Sequence, residues 1–177
     1  MIFADLQPGD TIFLDANTFI YYSAPDPVLG PPCSQLLQRI ENQELLGFTS
    51  LHLLPEVAHK MMTIEANALL GWRFTGMANR LRKHPADVQK LAAYQLVIDR
   101  ITHSRVQVLP FTVPLVVAGA AVSRQYGLLT NDALIVAVMQ ANGLTRLASQ
   151  TARYRRRRGS RSRLPPDSVP AAFRTDY

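Results

Sequence analysis

Along the first 150 residues the apolar positions fall into two kinds of run. Residues 12–14 are apolar without interruption, and LLGFTS (45–50), VQVLPF (106–111) and TRLAS (145–149) hold similar short blocks. This is the pattern of strands buried on both faces. Elsewhere the apolar residues recur at helical spacing: SQLLQRIENQE (34–44), LHLLPEVAHKMMTIE (51–65), onward through 66–82, PADVQKLAAYQLVIDRI (85–101), VPLVVAGAAVSRQYG (113–127) and NDALIVAVMQANG (131–143). Pro55 and Pro85 fall in opening helical turns, where a missing N–H costs nothing. Short strands alternating with helices predict an α/β fold, a mainly parallel central sheet of about four strands with helices on both faces. The helical stretch between the second and third strands is an insert. Ligands of such sheets bind beyond the carboxyl ends of the strands.

After Gln150 the pattern stops. Residues 151–177 are rich in Arg, Ser and Pro with no sustained apolar period, which predicts a basic, disordered tail after a single domain of residues 1–150. This division changes the reading of charge. The chain carries a formal +6, yet residues 1–150 hold 11 Lys and Arg against 11 Asp and Glu, so all of the excess belongs to the tail. Net charge therefore says little about what the domain binds. Cys33 is the single cysteine and has no internal disulfide partner, which fits a reducing, cytoplasmic setting. The longest apolar run, VPLVVAGAAV (113–122), is well short of the roughly 18 residues that span a bilayer, and no secretory leader is expected.

Three carboxylates stand in sequence that otherwise reads as core. Asp15 interrupts TIFLDANTFIYY (11–22), at the carboxyl end of the first strand; Glu56 lies in LLPEVAHKMM; Asp132 heads the apolar helix NDALIVAVMQANG. Each has a structural alternative. Asp15, with Asn17 and Thr18 behind it, has the chemistry of a helix cap. Glu56 can pair with Lys60 at i, i+4, and Asp132 can serve the helix dipole. Taken together they ask for a cation, because a buried, unpaired carboxylate costs several kcal/mol. Oxygen donors alone select a hard ion, Mg²⁺ or Mn²⁺ rather than Zn²⁺. His52 and His59, seven apart, read as packed or surface histidines before a metal pair. Met61, Met62 and Met77 read as core fillers. Arg73, Arg80, Arg82 and Lys83 form a basic stretch on the insert, a solvated face that is also the body's best candidate for phosphate contact.

LDANTFIYY, LLPEVAHKMM and YGLLTNDALIVAVMQANG, in that order, resemble the PIN-domain nucleases, in particular the VapC-type toxins of toxin–antitoxin modules. The resemblance spans about residues 11–149. It implies a PIN-like three-layer fold and Mg²⁺- or Mn²⁺-dependent cleavage of RNA by metal-activated water. It also implies Asp15, Glu56 and Asp132 as catalytic metal ligands, Asn17, Thr18 and Asn131 as supporting residues, and an antitoxin and a second copy of the chain as partners. One departure stands out. Where the family has an acidic T-N-D-x-D-F segment, this chain reads LASQTARY, with Thr151 and Arg153 in place of the two aspartates. The fourth carboxylate is missing, Thr151 offers only a hydroxyl, and the Arg-rich tail has the look of a frame-shifted terminus. A weakened domain that only binds RNA or an antitoxin is the alternative. FLDANTF also approaches the D-x-D-x-T of haloacid-dehalogenase-like phosphatases, with Asn17 where the general acid belongs.

Overall fold

The computed structural model describes residues 3–24 and 26–149. Four strands, β1 (Thr11–Leu14), β2 (Leu46–Ser50), β3 (Gln107–Leu109) and β4 (Leu147–Ala148), form one sheet in the order β3-β2-β1-β4, every neighbouring pair parallel. Phe13 lies opposite Phe48 on one side and Leu147 on the other. Phe13, Leu14, Leu53 and Val57 are fully buried in the main core. The expected α/β architecture is therefore observed: a parallel four-stranded sheet with its helices and a helical insert.

Eight helices accompany the sheet among the described residues: α1 (Ala16–Ser23), α2 (Gly30–Glu41), α3 (Leu54–Leu70), α4 (Met77–Lys83), α5 (Pro85–Val88), α6 (Ala93–His103), α7 (Val113–Tyr126) and α8 (Thr130–Ala141). Three differ from the sequence expectation. The helix α1 follows β1 with Asp15 at its N-cap position, in residues 16–23 to which the sequence pattern assigns no element beyond the cap chemistry of Asp15, Asn17 and Thr18. The stretch 66–82 breaks between Gly71 and Gly76, both at positive φ. The stretch 85–101 divides into α5 and α6, because the Glu65 carboxylate accepts the Ala92 and Ala93 N–H groups and starts a new helix there. Glu65→Ala is expected to lower stability by about 1 kcal/mol, the usual worth of a helix cap, read from the urea midpoint. An unchanged midpoint would show that this cap is idle.

Packing of α7 on α8 depends on a missing side chain. A Cβ on Gly119 would lie 2.5 Å from Leu134 Cδ2, so glycine permits the close approach that sets α8 against its neighbour. Met61 and Met77 are buried and Met62 half-buried, as expected of fillers. His52 and His59 do not share a helix: His52 is in a short 3₁₀ turn ahead of α3, hydrogen-bonded to Ser50 and packed on Phe111. Burial pushes the His52 pKa down to about 4. No helix among the described residues is long and apolar enough to cross a membrane. The tail after Ser149, with Thr151 and Arg153, lies outside the described residues.

Candidate active site

The order β3-β2-β1-β4 means that the chain builds outward from β1 in one direction and then returns to its other side. The reversal lies between β1 and β4, and crevices at such reversals are where open α/β sheets bind ligands. Asp15 is the first residue beyond β1, and Ser149 the first beyond β4.

Asp15 occupies the N-cap position of α1 in extended backbone, yet its carboxylate makes no capping bond to the helix. Instead one carboxylate oxygen, Oδ2, accepts hydrogen bonds from Asn17 Nδ2 at 3.1 Å and from Ser149 Oγ at 3.0 Å. The backbone locks this arrangement. The Ala148 carbonyl accepts both the Asp15 N–H at 3.1 Å and the Thr18 hydroxyl at 3.1 Å, and the Thr49 hydroxyl donates to the Leu14 carbonyl at 3.0 Å. Strands β1, β2 and β4 are thus stitched together at the level of the carboxylate. Asp15 is only 6% exposed, and burial raises its pKa. The hydrogen bonds that offset this, from Asn17 and Ser149, come from uncharged groups.

Glu56 is in the first turn of α3, just after β2, and is exposed. Asn131, in the first turn of α8, donates from Nδ2 to Glu56 Oε2 at 2.7 Å. The Glu56 pKa is raised first by desolvation and then by the negative charge of Asp15; the Asn131 hydrogen bond opposes this, Asp132 adds to it and Lys60 opposes it. Three carboxylates from three elements therefore share one electrostatic field. Hard oxygen donors that repel one another are the donor chemistry that Mg²⁺ or Mn²⁺ satisfies. As they stand, no three His, Cys, Asp or Glu among the described residues are grouped tightly enough to hold a metal ion.

A sequence model of the PIN domain matches residues 12–159 of the chain. The chain belongs to the PIN-domain family. No curated protein sequence matches it. Among solved structures it is similar to the VapC20 toxin of Mycobacterium tuberculosis, a toxin that cleaves the sarcin–ricin loop. The TM-score is 0.55 and the identity 16%, over 80% of this chain and 90% of that one. At that identity the likeness shows a shared fold. Family membership also removes the phosphatase reading of FLDANTF, and Asn17 proves to donate to Asp15.

Of the residues singled out from sequence, Asp15, Asn17 and Thr18 lie at the sheet reversal, Asn131 is hydrogen-bonded to Glu56, and Asp15 and Asp132 act on Glu56 through their charge. Arg73, Arg80, Arg82 and Lys83 lie at and beyond the far end of α3. Ser149 escaped the sequence reading. Its signal was a hydroxyl at the end of the last strand, two residues before the place of the first aspartate in the family's acidic segment.

Proposed function

We propose that this PIN domain is a metal-dependent endoribonuclease of the VapC toxin type. The observation that carries the reading is Asp15: a buried carboxylate at the sheet reversal, held by neutral donors and coupled in charge to Glu56. Asp15, Glu56 and Asp132 would hold Mg²⁺ or Mn²⁺, which when bound activates water and stabilises charge developing on a phosphate. The chain's own groups prepare that site. Asn17 and Ser149 fix the Asp15 carboxylate, Thr18 ties its turn to β4, and Asn131 orients Glu56. RNA is the substrate class, an antitoxin and a second copy are the partners, and the cytoplasm is the setting. A second reading, binding of RNA or antitoxin without cleavage, is favoured by the missing fourth carboxylate and by the open grouping of the three that remain. Incubating a mixed RNA with the full chain in Mn²⁺ and in EDTA decides between them: Mn²⁺-dependent cleavage supports the nuclease, and binding without cleavage supports the second reading.

Metal should also show in stability, with a definite sign. Burial raises the Asp15 pKa above 3.8, and burial with neighbouring charge raises that of Glu56 above 4.5. Across that window the folded protein binds more protons than the unfolded one, so metal-free stability falls as pH rises through the raised values. A cation replaces those protons. The rise in Tm on adding Mn²⁺ is therefore expected to be larger at about pH 7.5 than at about pH 5. A shift that is equal at both pH values, or zero, would count against a metal at these carboxylates.

A further inference from the structure

The loop joining α3 to α4, GWRFTG at residues 71–76, displays an aromatic ring on a frame held at three successive carbonyls. Asn67 Nδ2 donates to the Trp72 carbonyl at 2.7 Å, Arg80 Nη1 to the Arg73 carbonyl at 2.7 Å, and the Met77 N–H to the Phe74 carbonyl at 3.2 Å. The Trp72 ring packs against the His84 imidazole, with ring centres 5.3 Å apart. Gly71 and Gly76, at φ of 67° and 73°, supply the two reversals. Beneath the loop, Met77 and Leu81 bury α4 in a small cluster with Ala66 and Leu91.

Phe74 does not join that cluster and is 57% exposed. A fixed loop that leaves a phenylalanine in water forgoes stabilisation that burying the ring would contribute. Along the chain, the charge between Glu65 and Asp87 has one sign. Residues 66–86 contain Arg73, Arg80, Arg82 and Lys83 and no carboxylate, although residues 1–150 balance at 11 cations and 11 anions. Arg73, Arg82 and Lys83 are exposed. An exposed ring among unpaired cations is the combination that takes a nucleobase on the ring and its phosphates on the cations. An apolar protein partner would have to desolvate those cations, and an acidic peptide would leave the ring unused.

We propose that residues 71–83 form a stacking site for an unpaired base of single-stranded RNA. Phe74 is the platform, Arg73, Arg82 and Lys83 contact the flanking phosphates, and Arg80 is a positioning residue that holds the loop. The proposal rests on the nuclease reading for its choice of RNA and adds where the strand is gripped. Glu56 and Leu70 are separated by fourteen residues of α3, about 21 Å at 1.5 Å per residue, so the RNA crosses several nucleotides between grip and carboxylates.

Trp72 is the chain's single tryptophan and sits in this loop, which makes its fluorescence a local reporter that ignores RNA held by the tail. The experiment titrates a 12-nucleotide U-rich RNA into the full chain in EDTA at low salt. The expected result is a saturable change in Trp72 emission for the wild type. Phe74→Leu, which keeps an apolar side chain at an exposed position, should weaken binding about tenfold, the worth of one stacked base. Arg82→Gln with Lys83→Gln should lower the salt slope by about 1.4. A wild-type emission that does not respond to RNA overturns the site, as does a Phe74→Leu affinity within twofold of wild type. So does an equal response to poly-glutamate, which would assign the loop to an acidic protein. Cleavage in Mn²⁺, run beside it, separates the two failures. Binding without cleavage leaves the stacking site standing and sinks the nuclease, whereas cleavage with the same kcat/KM in wild type and Phe74→Leu does the reverse.

Discussion

Asp15→Asn is expected to reduce RNA cleavage in Mn²⁺ about a thousandfold while leaving the fold intact. Under the proposed function Asp15 holds the metal, and a residue in that role supplies several kcal/mol of transition-state stabilisation, each 1.36 kcal/mol being a factor of ten in rate. The substitution changes charge with almost no change in shape. Asparagine keeps a carbonyl oxygen that can accept from Asn17 and Ser149, the two donors now on Asp15 Oδ2. Because burial already disfavours the Asp15 charge, the neutral variant should melt no lower than wild type in EDTA and should lose the Mn²⁺-dependent rise in Tm. The loss should fall on kcat, with RNA affinity in EDTA no weaker than wild type, since a carboxylate repels a phosphate. A variant that retains a tenth of wild-type activity would remove Asp15 from the catalytic machinery.

How far the sequence discloses this site depends on what each residue does locally. Asp15 is legible as a candidate because a carboxylate at the end of a buried strand contradicts its surroundings; the same reasoning picks out Glu56 and Asp132, but of the three only Asp15 is buried in the fold, and Glu56 is exposed. The helix α1 is legible only at its start: Asp15, Asn17 and Thr18 have cap chemistry, while Phe19, Ile20, Tyr21 and Tyr22 form a short apolar run, and such runs do not reveal their period. The split of the insert was written in Gly71 and Gly76, yet apolar periodicity bridges them. Starting α6 from Glu65 is a contact across 27 residues that no local pattern encodes. Ser149 stayed hidden for the same reason, since its partner lies 134 residues away. Local chemistry is readable from spacing, whereas a hydroxyl becomes informative only once the sheet order brings β4 beside β1.

That sheet order makes Phe13 the residue whose loss should cost the most stability. Phe13→Ala is expected to destabilise the domain by about 3–5 kcal/mol, a large part of the roughly 5–15 kcal/mol that holds a domain of this size together. Phe13 is fully buried at the centre of β1, in register with Phe48 and Leu147 on its two flanks. Truncation removes packing from three strands at once, and the parallel backbone ladder keeps the gap from closing. Asp15 lies two residues further along the chain, immediately beyond β1, so the cavity also loosens the element that aims the carboxylate. Mn²⁺ at a hundred times its Kd should return about 2.7 kcal/mol by mass action to wild type and Phe13→Ala alike, and nothing to Asp15→Asn. Urea melts of the three proteins, each with and without Mn²⁺, give this comparison directly. A cost below about 1 kcal/mol for Phe13→Ala would mean that the site is held by its hydrogen-bonded stitches at Ala148 and Leu14, with the core beneath it of secondary weight.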